Sequence, residues 1–234
     1  MRLRIMTYNI HSGRDAFGKL DLARIENTIR CLNPDICALN EVRMRTEDVG
    51  TCEQARELGE RLGMKWAFAP AMPYNGGEYG IGMLSKHPIV KTDFFPVPEV
   101  PAERRERRYE PRVLLRCEIL LEKRPVAVYT SHYGLSDEEQ RNAVRLTLDR
   151  VRGETMPVAF MGDLNMTPDA PLIRELSLAL RDSAEGKRLL TFHALDPASK
   201  IDYVYYSPEF RTLDVSAPFS AASDHFPLVT DVEF

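Results

Sequence analysis

Short apolar runs at residues 3–8, 35–39, 80–85, 113–121, 126–130, 157–161, 201–206 and 228–234 constrain this chain more than any other feature. Most are closed by polar or turn residues and are too short for buried helices, so they read as strands. Amphipathic stretches lie between some of them. Leu22, Ile25, Ile29 and Leu32 recur at helical spacing and are stopped by Asn33-Pro34. Residues 51–62 predict a second helix ending at Gly63. Ser136 followed by Glu139 is a capping-box pattern ahead of Val144, Leu148 and Val151. A fourth helix over 171–180 places Pro171 near its start, where a missing N–H does no harm. Hairpin-like neighbours (113–121 with 126–130) alternate with strand–helix–strand units such as residues 3–39, which predicts mixed sheets with helices on their outer faces. Residues 95–111, with Pro96, Pro98, Pro101 and Pro111 around four arginines, read as a surface loop. With no repeat and no linker, one domain over 1–234 is expected.

Composition removes some function classes. At 234 residues the chain can bury roughly 70–75% of its unfolded surface. A net charge of −4 supplies no global basic field, which counts against a high-affinity duplex binder. The opening residues lack an apolar stretch of signal-peptide length, and nowhere do ~18 apolar residues run together. A cytoplasmic protein without membrane insertion is expected. Cys31, Cys37, Cys52 and Cys117 show no CxxC spacing and read as buried, reduced thiols.

Chemistry gathers where the strands end. Asn9 follows the first run, Glu41 the second, and His132 the run at 126–130. Arg112 precedes Val113. Gly162-Asp163-Leu164-Asn165 follows the run at 157–161; if the extended geometry persists, Asp163 and Asn165 project to the same side. Asp202 and the triplet Ser223-Asp224-His225 belong to the last strands. Any one of these reads equally well as a solvated turn. Two amides, several carboxylates and two histidines together, each at the end of a buried strand, point to a ligand site on loops held by a rigid sheet.

Tyr8-Asn9-Ile10-His11, Asn40-Glu41-Val42, the stretch from Tyr79 to Ser85, Gly162-Asp163-Leu164-Asn165, Ile201-Asp202-Tyr203-Val204 and Ser223-Asp224-His225-Phe226-Pro227 resemble, in order, the signature of the endonuclease/exonuclease/phosphatase superfamily. That superfamily includes the pancreatic deoxyribonucleases, and the resemblance spans residues 7–227. It implies a deoxyribonuclease-like four-layer sandwich, two packed mixed β-sheets flanked by helices, with the site in a cleft at one edge. It also implies a metal-dependent phosphoric ester hydrolase. Glu41 is the first metal ligand expected, with Asn9 and Asp224 holding the metal or its waters; sparse carboxylates suit Mg²⁺, and Mn²⁺ could substitute.

By the same resemblance, Asp163 orients or deprotonates the attacking water and Asn165 donates to a non-bridging oxygen. His132 and His225 flank the phosphate, with Asp202 as the orienting partner of His225 and Glu78 as that of His132. Arg112 matches the family's arginine near the site and is expected to bind substrate, as are Asn9, Asn165 and Glu78. Asn40 stands where a longer Gln is usual, which alters packing behind the metal ligand.

Fold and metal do not choose the ester. One reading is hydrolysis of a phosphodiester or phosphomonoester by in-line attack of water. Another is a DNA or RNA nuclease using residues 104–112, with Arg104, Arg105, Arg107 and Arg108 on the nucleic-acid backbone. A non-catalytic scaffold is the third, and the intact residue set argues against it.

Overall fold

Leu3, Ile5, Ala38, Leu115, Val128, Met161 and Val204 meet in one apolar layer because each occupies the inward-facing parity of its strand. The computed structural model describes residues 1–105 and 109–234; Arg107 and Arg108 lie outside the described residues. One sheet runs in the order β11 (Arg211–Ser216), β12 (Leu228–Glu233), β1 (Arg2–Asn9), β2 (Ile36–Met44), β4 (Gly77–Ser85), β3 (Lys65–Tyr74). The other runs β5 (Ile89–Pro96), β6 (Val113–Leu121), β7 (Arg124–His132), β8 (Val158–Asp163), β10 (Asp202–Tyr206), β9 (Arg181–Asp182). Each holds one parallel pair, β1 with β2 and β7 with β8, among antiparallel ones, so both are mixed as expected.

Helices close the outer faces. α1 (Leu22–Leu32) and α2 (Gln54–Leu62) bury Ile25, Ile29 and Leu58 against Met6, Tyr8 and Leu39 of the first sheet. α3 (Asp137–Arg152) and α4 (Pro171–Ser177) bury Val144, Leu148 and Ile173 against Tyr129, Phe160 and Tyr203 of the second. Each large apolar side chain so placed contributes roughly 1.5–3 kcal/mol. α3 starts at the capping box read from sequence: Ser136 accepts from the Glu139 N–H, and the Glu139 carboxylate accepts from the Ser136 N–H at 3.0 Å.

Several expectations change. α2 starts at Gln54 rather than near residue 51, and α4 ends at Ser177. β3, β5, β9 and β11 are strands that the apolar runs did not reveal. Of the cysteines, Cys37 and Cys117 are buried, but Cys31 is exposed because it sits on the solvent side of α1; none is paired. No helix of the described residues is long and apolar enough to cross a membrane.

Candidate active site

The parity that builds the inter-sheet core also builds the site. Continuing each inward-facing series to its strand end gives Asn9 after Leu3 and Ile5, Asn40 after Ile36 and Ala38, and His132 after Val126 and Val128. It likewise gives Asp163 after Ala159 and Met161, and Asp202 before Val204 and Tyr206. Strand pairing then brings them side by side, with Asp163 opposite His132 on β7 and opposite Asp202 on β10. Gly162 makes this register attainable. Its φ is 152°, and a Cβ there would lie 2.0 Å from the Ser131 carbonyl oxygen.

Asp163 is the hub. Its Oδ2 accepts from Asn9 Nδ2 at 3.0 Å and lies 3.5 Å from His132 Nε2 and 3.6 Å from His225 Nε2. Asn40 holds it from behind, accepting the Asp163 N–H at 3.0 Å while its own amide donates to the Ser131 carbonyl at 3.1 Å. Burial pushes the Asp163 carboxyl up to about 7, with the neighbouring charge of Asp202 adding to the rise and His225 and Asn9 opposing it.

His225 has an anion on each ring nitrogen. Its Nδ1 is 2.9 Å from Asp202 Oδ2, as expected, and Phe192 packs on the ring at 4.8 Å between centroids. Burial opposes its charged form, yet Asp202 and Asp163 outweigh that and raise its pKa to about 10. His132 is shifted the other way. Burial, then the charges of Arg112 and His225, hold it well below the usual imidazole value.

Glu41 reaches the cleft through a bulge in β2, where the pairing register slips between Leu39 and Val42 and Glu41 takes a φ of 57°. Such a backbone costs of order 1–3 kcal/mol in a non-glycine residue and recurs at functional positions. Glu41 accepts from the same Asn9 amide at 3.0 Å. Asp224 lines the same cleft, with Ser223 Oγ at 3.2 Å and His11 Nδ1 at 3.7 Å. Among the described residues neither carboxylate has a Lys or Arg partner. Cleft-facing oxygens with uncompensated charge suit a hard divalent cation. Asp163, Asp202 and His225 also lie close enough to ligate a metal, but there the imidazole stands between the two carboxylates, and a shared proton fits that arrangement better than an ion.

Two expectations are corrected. Asn165 does not continue the strand: β8 stops at Asp163, whose Oδ1 accepts the Asn165 N–H at 3.0 Å, and Asn165 turns into the left-handed region with a φ of 49°. Its side chain still reaches the cleft, its amide donating to the Tyr133 carbonyl at 2.9 Å, while Gln140 on α3 holds the turn by donating to the Asn165 main-chain carbonyl at 3.0 Å. Glu78 does not orient His132. It is exposed and has the wrong parity on β4, where Tyr79, Ile81 and Met83 face inward. The partners of His132 Nδ1 are Arg112 Nη1 at 3.0 Å and the Tyr79 hydroxyl at 3.4 Å.

The cleft has a volume of about 720 Å³. Beyond the polar cluster its wall includes Arg43, Tyr74, Tyr79 and Tyr109, with the Arg43 guanidinium 3.8 Å from the Tyr74 ring centroid. Sequence reasoning passed over Arg43, Tyr79 and Phe192. The inward parity of Tyr79 was available from Ile81 and Met83, whereas Phe192 belongs to a loop with no periodic signal.

These findings agree with the comparisons. The sequence profile of the Endonuclease/Exonuclease/phosphatase family matches residues 6–225. An endonuclease/exonuclease/phosphatase from Beutenbergia cavernae is similar in structure, with 25% identity, a TM-score of 0.78, and coverage of 100% of this chain and 72% of its own. A mannosyl-6-phosphatase from Bacteroides thetaiotaomicron superposes with a TM-score of 0.81 at 17% identity, over 99% of this chain and 100% of that one. The catalytic domain of human Nocturnin, which carries a bound sulfate, does so with a TM-score of 0.73 at 18% identity, over 100% and 94%. No curated protein matches by sequence. With a profile match over nearly its whole length and the two-sheet sandwich beneath it, the chain belongs to the endonuclease/exonuclease/phosphatase family.

Proposed function

We propose that this protein is a Mg²⁺-dependent phosphoesterase that hydrolyses a small phosphodiester or phosphomonoester by in-line attack of water. The observation that carries the reading is the buried Asp163 carboxylate, bracketed by Asn9, His132 and His225 at the floor of an open cleft. Asp163 takes the water proton, and a carboxyl raised toward neutrality is a better base than an ordinary one. His225, kept protonated by Asp202, presents Nε2–H to the phosphoryl group. Asn165 and His132 supply further donors on the other side of Asp163. Glu41, Asn9 and Asp224 would hold the cation, which when bound neutralises charge developing on the phosphoryl and leaving oxygens.

The nuclease reading loses support at two of the four arginines it invokes, the other two, Arg107 and Arg108, lying outside the described residues. Arg104 is paired with Glu138 at 2.8 Å and Arg105 with Glu99, so both cations are already matched by neighbouring carboxylates. Hydrolysis of bis-p-nitrophenyl phosphate, p-nitrophenyl phosphate, abasic duplex and single-stranded DNA, measured with Mg²⁺ and with a chelator, tests the choice. Metal-dependent release from a small ester is the expected result. Cleavage of duplex alone, or of nothing, would overturn the proposal.

A further inference from the structure

N–H donors approach both edges of the His132 ring. Arg112 Nη1 lies 3.0 Å from Nδ1, and Asn165 Nδ2 lies 3.1 Å from Nε2. A guanidinium keeps its protons throughout the range in which proteins stay folded, so Nδ1 must be the lone-pair nitrogen. The single proton of a neutral imidazole then sits on Nε2, and Asn165 has no acceptor there. One of its two amide protons goes to the Tyr133 carbonyl at 2.9 Å. The other faces the His132 Nε2–H. Reversing the amide would give the Nε2–H an acceptor only by setting the amide oxygen about 2.9 Å from the Tyr133 carbonyl oxygen, exchanging a good hydrogen bond for a repulsion between two acceptors. Two donors this close are complementary to one acceptor set between them, on the cleft side where both residues line the wall.

We propose that Arg112 is a positioning residue that fixes His132 as the neutral Nε2–H tautomer, so that His132 and Asn165 form a paired donor for one phosphoryl oxygen and His132 transfers no proton. The tautomer follows from the hydrogen bonds alone; the donor role rests on the phosphoesterase reading. Every charged or titratable neighbour is consistent with it. Arg112 is itself anchored, its Nη2 lying 3.0 Å from Glu110 Oε2, and it is only 9% exposed. The Tyr79 hydroxyl stands on the Nδ1 side, Asp163 on the Nε2 side, and His225 beyond Asp163. Protonating Nδ1 would break the Arg112 bond and set two cations 3.0 Å apart. His225, with a carboxylate on its Nδ1 where His132 has a guanidinium, is the opposite case.

Nitrogen-15 NMR of the histidine rings in the full chain, with and without Mg²⁺, reads the proton positions directly. His132 should show a bare Nδ1 and a protonated Nε2 at every pH from about 5 to 9, the window in which an unperturbed imidazole titrates. In Arg112→Met its titration should reappear within that window. A protonated Nδ1 in the wild type, or a wild-type midpoint inside the window, overturns the proposal; the wild-type spectrum decides even if the variant fails to fold. Adding inorganic phosphate should shift the His132 Nε2 and Asn165 side-chain resonances together. Unmoved resonances would overturn the donor role. A correct tautomer in a protein that hydrolyses no ester would overturn the phosphoesterase reading instead.

Discussion

Asn40 on one sheet carries Asp163 on the other, accepting its N–H at 3.0 Å from a position with no solvent exposure. The same side chain donates to the Ser131 carbonyl at 3.1 Å. Asn40→Ala would leave a buried donor and a buried acceptor unmatched, at about 1–3 kcal/mol each. A loss of about 2–6 kcal/mol in urea unfolding is the expected result, with a fall in kcat larger than any change in KM. A variant as stable as the wild type would show that the bridge contributes nothing.

Asp163→Asn keeps the shape of the hub and removes its basicity. Turnover should fall by about 10²–10⁴-fold, as should that of His225→Ala, while circular dichroism shows both variants still folded; His225→Ala should also lose stability, because it leaves the buried Asp202 carboxylate without its partner. Near-normal hydrolysis by either folded variant would rule out the assigned role.

The strands missed in the sequence are β3, β5, β9 and β11, the four edges of the two sheets. An edge strand has a neighbour on one side only, and it tolerates proline and charge that an interior strand excludes. Hence Pro70 and Pro73 in β3, and Lys91, Thr92 and Asp93 in β5, masked the pattern. The interior strands were legible because burial demands a continuous apolar run. Their polar ends made Asn9, His132, Asp163 and Asp202 legible as one cluster, and the inward parity of the strands is what brings them together; Asn40, of the same parity, stood out only as a shorter stand-in for Gln and not as a member of the cluster. The parity rule also counted against Glu78, had Tyr79 been placed inward with Ile81 and Met83. Asn165 and Glu41 escaped the rule, since both reach the cleft from left-handed backbone that no period announces.

Arg104→Ala and Arg105→Ala should leave hydrolysis of a small ester within about twofold of wild type. Both arginines are on the surface, paired with Glu138 and Glu99, and exposed ion pairs of this kind are worth about 0–1 kcal/mol. A steep loss of rate, relieved neither by substrate concentration nor by low salt, would instead place this loop in the site.

Glu154 gives a pH signature away from the cleft. Its carboxylate accepts from Arg116 Nε at 2.9 Å and from the Tyr129 hydroxyl at 3.0 Å. Burial alone would raise its pKa, but these bonds prevail and hold it below the ordinary value of 4.5. A depressed carboxylate binds fewer protons in the folded state than in the unfolded one. Its stabilising contribution is therefore complete above the unfolded value and disappears as pH falls through the folded one. The gap in urea midpoint between wild type and Glu154→Gln should be widest at neutral pH and narrow below pH 4.5. A gap independent of pH would assign the effect to packing.

Metal removal separates two places where a cation could sit. If Glu41, Asn9 and Asp224 hold it, chelation should abolish hydrolysis and Mg²⁺ or Mn²⁺ should restore it. Glu41→Gln, which keeps the hydrogen-bonding shape but removes one hard anionic oxygen, should weaken Mn²⁺ binding on the order of tenfold. Asp202→Asn should leave that affinity nearly unchanged, because Asp202 faces His225 rather than the cleft mouth. Calorimetric titration of Mn²⁺ reads both variants without any turnover. Weakening by Asp202→Asn but not by Glu41→Gln would move the ion to the buried trio of Asp163, Asp202 and His225, and the proton now assigned between them would have to be placed elsewhere.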